Sequence, residues 1–86
     1  MTPEQSRAAR GWLNWSQKDL AEKAGIAKNT VYGFERGQRT LTANNLASMR
    51  RAIEEAGIRL LFDETGAAVG IARRDVRIDS SNGASD

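Results

Sequence analysis

Three glycines set the scale of what the first 57 residues can form. Gly25, Gly37 and Gly57 each close a short run whose apolar residues recur at helical spacing, and glycine enters the left-handed conformation past a helix end without steric cost. The chain is thereby cut into short helices that must share one core. The first helix starts at Thr2-Pro3-Glu4-Gln5, which offers a capping oxygen, a proline pre-set for the first helical position and a glutamine three residues past the cap. It is expected to end near Leu13, before Asn14. Ser16 caps a second helix of about two turns, with Asp19 near its positive end and Leu20, Ala21 and Ala24 on one face. A third helix, roughly Lys28 to Arg36, carries Val31 and Phe34 inward. After a loop over 38–42, Thr42 caps a fourth, whose Leu46, Met49, Ala52 and Ile53 form an i, i+3, i+4, i+7 stripe. Beyond Gly57 the periodicity changes to that of strands. Ile58 to Phe62 and Ala68 to Arg73, joined by Asp63-Glu64-Thr65-Gly66, read as a β-hairpin.

With 86 residues there is material for one core. The expected domain is 1–74, including the hairpin at 58–73, and 75–86 lacks apolar mass and is expected to be a disordered tail. Cys and His are both absent, which removes disulfides, thiolate and imidazole metal sites and the commonest general base. No nucleophile with a base, metal cluster or phosphate-cradling glycine loop is visible, so an enzyme is not expected, nor any cofactor. No signal segment or run of eighteen apolar residues appears, and the protein is read as soluble and cytoplasmic, with no membrane partner. The net charge of +2 conceals an asymmetry: residues 1–62 hold ten basic against six acidic side chains, and 28–51 hold five against one. That concentration suits a polyanion.

The second and third helices can cross closely only if the residues at the crossing are small. Ala21 meets that need, Gly25 permits the tight turn, and Ile26 plugs the corner. Through Trp15-Ser16-Gln17-Lys18-Asp19-Leu20-Ala21-Glu22-Lys23-Ala24-Gly25-Ile26 and the later Phe34-Glu35-Arg36-Gly37, the sequence resembles the Cro and phage-repressor-like (XRE) helix-turn-helix regulators over roughly residues 4–57. The letters are common singly, but this order and spacing is rare. The resemblance implies a mainly α fold, a compact four-helix lambda-repressor-like domain to which this chain adds a C-terminal hairpin. It also implies a repressor or controller acting on double-stranded DNA as a homodimer. The rival is an antitoxin or anti-activator that uses the same fold to bind a protein partner.

At about 100° per residue, Ala27, Val31 and Phe34 turn inward while Asn29, Tyr32, Gly33 and Arg36 turn outward, flanked by Lys28 and Thr30. Asn29 can pair with adenine N6 and N7, and Lys28 can donate to guanine O6 and N7. Tyr32 and Thr30 can reach a thymine methyl or a phosphate. By resemblance, Gln17, Arg36, Arg39, Thr40 and Asn44 or Asn45 grip phosphates, with Ser16 presenting a helix N-terminus. Arg50 and Arg51 read as a solvated face. The family pattern also pairs Arg10 with Glu35 in a partly buried salt bridge. Two departures stand out: Ala27 lacks the usual capping hydroxyl, and Gly33 stands where relatives commonly place a base-reading side chain. In the hairpin, Ile58, Leu60 and Phe62 are expected to pack on the helices. Leu61 is left on the other face, either as a satellite of the core or as a dimer contact.

Overall fold

Three of the four helices begin where a side-chain oxygen holds the first turn. The computed structural model describes residues 1–74, and the tail expected at 75–86 lies outside the described residues. Helix α1 (Pro3–Leu13) and helix α2 (Gln17–Ala24) start with reciprocal capping boxes. Thr2 Oγ1 accepts from Gln5 N at 3.2 Å while Gln5 Oε1 accepts from Thr2 N at 3.1 Å, and Ser16 and Asp19 exchange the same two bonds at 2.9 Å each. Helix α4 (Ala43–Glu55) is capped by Thr42 through Asn45 N at 3.1 Å. Helix α3 (Lys28–Glu35) follows Ala27 and has no side-chain cap.

The first three helices end alike. In each, an amide beyond the helix reaches back to a carbonyl five residues earlier: Trp15 to Arg10 at 2.9 Å, Ile26 to Ala21 at 3.0 Å, and Gln38 to Gly33 at 2.9 Å. The residue before that amide is left-handed each time, with φ of 59° at Asn14, 71° at Gly25 and 75° at Gly37. These Schellman turns reverse the chain sharply. They drop Trp15 and Ile26 against the core, which is built from Ala9, Leu20, Ala21, Val31, Phe34, Met49, Ala52, Ile53, Ile58 and Leu60. Leu20, Val31, Met49 and Ile53 are wholly covered. Trp15 is half-buried with Lys23 Nζ 5.6 Å from its ring centre, and Trp12 is exposed.

Strands β1 (Ile58–Phe62) and β2 (Ala68–Arg73) pair antiparallel, with Leu60 opposite Ile71 and Leu61 opposite Gly70. The fold is therefore four helices with a two-stranded hairpin packed on α4 and α1. The turn is held by Asp63, whose Oδ1 accepts from Thr65 N, Thr65 Oγ1 and Ala67 N. Gln5, buried in α1, donates its Nε2 to the carbonyls of both Leu61 and Gly70 at 3.0 Å, fixing the hairpin to the helices. Phe62 departs from the expected alternation. The register shifts by one residue between Leu61 and Phe62, with Val69 on β2 left unpaired as in a bulge, and Phe62 is 36% exposed with the Arg50 guanidinium 5.6 Å from its ring centre. Among the described residues no helix is long and apolar enough to cross a membrane.

The uncapped start of α3 gives a direct test. Ala27 is exposed, with the extended backbone of a cap residue (φ −72°, ψ 142°), so a hydroxyl placed there can reach the free amides of the first turn. Ala27→Ser is expected to stabilise the protein by about 1 kcal/mol in urea unfolding.

Candidate nucleic-acid interface

The exposed face of α3 is held outward by what α3 buries. Val31 is fully covered and Phe34 nearly so, and Glu35, at the last turn, is buried with its side chain only 1% exposed. A carboxylate in that position must be satisfied, and two helices supply donors. From α1, Arg10 donates Nε to Glu35 Oε2 at 2.9 Å and Nη2 to Oε1 at 2.7 Å, and Ser6 Oγ donates to Oε2 at 2.5 Å. From α2, Gln17 Nε2 donates to Oε1 at 3.1 Å. Arg7 adds a bond from its guanidinium to the backbone carbonyl of the same residue. Burial is the largest single influence on the Glu35 carboxyl and pushes its pKa up, but the bonds from Arg10, Ser6 and Gln17 together outweigh it and hold the pKa below its ordinary value. Arg10 is raised, chiefly by its hydrogen bond to Glu35.

With α3 so fixed, Lys28, Asn29, Tyr32 and Arg36 are all exposed. Arg36 lies over the Tyr32 ring, 5.3 Å from its centre, so the two form one cationic and aromatic ridge along the helix. Thr30 is half-buried and its Oγ1 accepts from Arg39 Nη1 at 3.2 Å. Two residues sit differently from the helical-wheel expectation. Ala27 is exposed rather than inward, because as the residue before α3 its extended backbone takes it off the wheel. Gly33 is buried rather than outward, because the Arg39 side chain lies across it.

Of the residues expected at phosphates, Arg36, Arg39, Thr40 and Asn44 are exposed, and Asn45 is half-buried. Gln17 is different: its side-chain amide turns inward to Glu35, which leaves the backbone amides of the first turn of α2 as its contribution to that surface. Ser16 has both its amide and its hydroxyl engaged with Asp19. Arg50 pairs with Glu54 at 2.9 Å on the outside of α4. Leu61 is half-buried, whereas Val69, on the neighbouring strand, is 61% exposed.

Sequence reasoning did not identify Ser6, Arg7 and Gln17 as partners of Glu35. The signal for two of them was present. Ser6 and Arg10 are four residues apart on α1, as close neighbours on one helix face must be, so placing Arg10 against Glu35 brings Ser6 with it, and Arg7 lies beside them.

The family model described as Helix-turn-helix matches residues 7–61, more than half of the chain. Among solved structures, the restriction-modification controller protein C.AhdI from Aeromonas hydrophila is similar. It is 31% identical with a TM-score of 0.58, and the match covers 60% of this chain and 79% of that one. No curated protein matches the chain.

The Glu35 cluster sets two expectations. Arg10→Ala strands a buried carboxylate and is expected to destabilise the fold by about 3 kcal/mol in urea unfolding at neutral pH. Because the folded pKa of Glu35 lies below the unfolded one, its stabilisation is complete above the ordinary 4.5 and is lost as pH falls through the depressed folded value. The stability gap between wild type and Glu35→Gln should therefore be constant from neutral pH down to about 4.5 and narrow below it.

Proposed function

Because the chain belongs to the XRE-type helix-turn-helix family, whose members are DNA-binding transcription regulators and not enzymes, we propose that it is a repressor or controller that reads the major groove with α3. One observation carries this reading. Lys28, Asn29, Tyr32 and Arg36 are exposed together on a helix whose other side is locked by Val31, Phe34 and the Glu35 cluster. Asn29 has the paired donor and acceptor that suit adenine N6 and N7, and Lys28 has donors for guanine O6 and N7. Thr40, in the loop after α3, and Asn44, in the first turn of α4, are both exposed, and contacts to phosphate from there set register without reading sequence.

One domain of this size, residues 1–74, makes few contacts, so the proposed binding form is a dimer on paired half-sites about 34–36 Å apart. The hairpin is the proposed contact. Val69 and Phe62 are exposed beside the half-buried Leu61, and a two-stranded sheet has free edges.

Selection of bound duplexes from a random pool is expected to return a two-fold symmetric site. Lys28→Ala and Asn29→Ala should each relax one base preference by about 1–3 kcal/mol. Weak binding that ignores sequence and is untouched by both substitutions would point instead to a protein-binding module. In sedimentation, Val69→Asp is expected to yield a folded monomer, and a variant that stays dimeric would place the interface elsewhere.

A further inference from the structure

Gly33 lies in the middle of the α3 face, yet it is buried, and what buries it is an arginine from outside the helix. A Cβ built on residue 33 would stand 3.3 Å from Arg39 Cβ, 3.8 Å from Cδ and 3.7 Å from Nε. The Arg39 side chain therefore runs through the space that a side chain at position 33 would enter. Its guanidinium ends one turn nearer the start of α3, where Nη1 donates to Thr30 Oγ1 at 3.2 Å. The path is set by the Schellman turn at Gly37, whose bond from Gln38 N to Gly33 O brings the chain back over the helix it has just left.

We infer that Arg39 is a base-reading residue, delivering to the major groove the side chain that Gly33 lacks, and that its target is a guanine. The inference rests on the proposed groove reading by α3. A phosphate clamp belongs at the rim of the groove, where the strands pass the protein; a guanidinium laid along Thr30 and Gly33 faces the base edges instead. Only one of its five N–H donors is engaged by Thr30, and among the described residues it is in no ion pair. The planar fork that remains matches O6 and N7 of guanine, a fit that lysine cannot reproduce. Glycine at position 33 keeps that path open: with Arg39 Cβ already at 3.3 Å, an alanine there requires residue 39 to give by a few tenths of an ångström.

The test compares wild type, Arg39→Lys, Arg39→Ala and Gly33→Ala by selection from a random duplex pool, followed by affinity measurements across a salt series on the selected site and its single-base variants. Wild type is expected to select one guanine in each half-site that Arg39→Lys and Arg39→Ala both cease to distinguish, a loss of about ten- to hundredfold in preference at that pair alone. Gly33→Ala should alter preference at the same pair, and Arg39→Lys should keep the wild-type salt slope. The inference is overturned if Arg39→Lys retains every base preference, or if Arg39→Ala weakens all sequences equally while lowering the salt slope by about one, the signature of a phosphate contact. A wild-type protein that selects no sequence overturns the groove reading itself. That outcome is distinct from a selected site indifferent to residue 39, which overturns only the role of Arg39.

Discussion

A single buried carboxylate fixes the geometry on which this structure depends. Glu35 is the last residue of α3, and its oxygens take hydrogen bonds from Ser6 and Arg10 on α1 and from Gln17 on α2. Three helices too short to be stable alone are thus brought to one point. Apolar burial is non-directional and would tolerate α3 rotated by a few tens of degrees about its axis, whereas a bidentate guanidinium contact would not. The packing of Val31 and Phe34 gives α3 its attraction to the core, and Glu35 gives it a register.

The turns work to the same end. Schellman closures at Asn14, Gly25 and Gly37 each spend one left-handed residue to reverse the chain within a few residues. The first two carry apolar residues, Trp15 and Ile26, onto the core. The third follows α3 and carries polar ones, so its return passes over the outer surface of the helix and lays Arg39 across Gly33. The same backbone device thus builds the interior twice and the surface once, and the residues that follow each turn decide which.

Much of this was legible in the sequence because it is local. Thr2, Ser16 and Thr42 announce helix starts through oxygens that bond within three residues, and Gly25 and Gly37 announce ends through their freedom at positive φ. The strand bounds follow equally well from the alternation of Ile58, Arg59 and Leu60 and the turn residues at Asp63 and Gly66. Long-range effects were less legible. The wheel puts Gly33 outward, correctly for α3 in isolation, but it cannot see a side chain six residues later folding back. It turns Ala27 inward by extending helical angles to a residue whose backbone is already extended. Gln17 is the instructive case at the site: by position it belongs with phosphate contacts, yet a buried carboxylate within reach competes for its amide, and only the tertiary structure reveals that competitor.

Helix α3 is the least self-sufficient of the four, and it carries the candidate interface. It has eight residues, no side-chain cap at its start, and a glycine at a position where alanine would be favoured by about 1 kcal/mol. Local propensity therefore argues against it, and tertiary contacts form it: Val31 and Phe34 against the core, Glu35 in its cluster, and Arg39 over its middle. A helix formed this way takes its orientation from its neighbours rather than from its own sequence, which leaves the residues of its outer face free of any structural duty. Lys28, Asn29 and Tyr32 can then be chosen for what they present to a partner, while the fold is maintained from the other side.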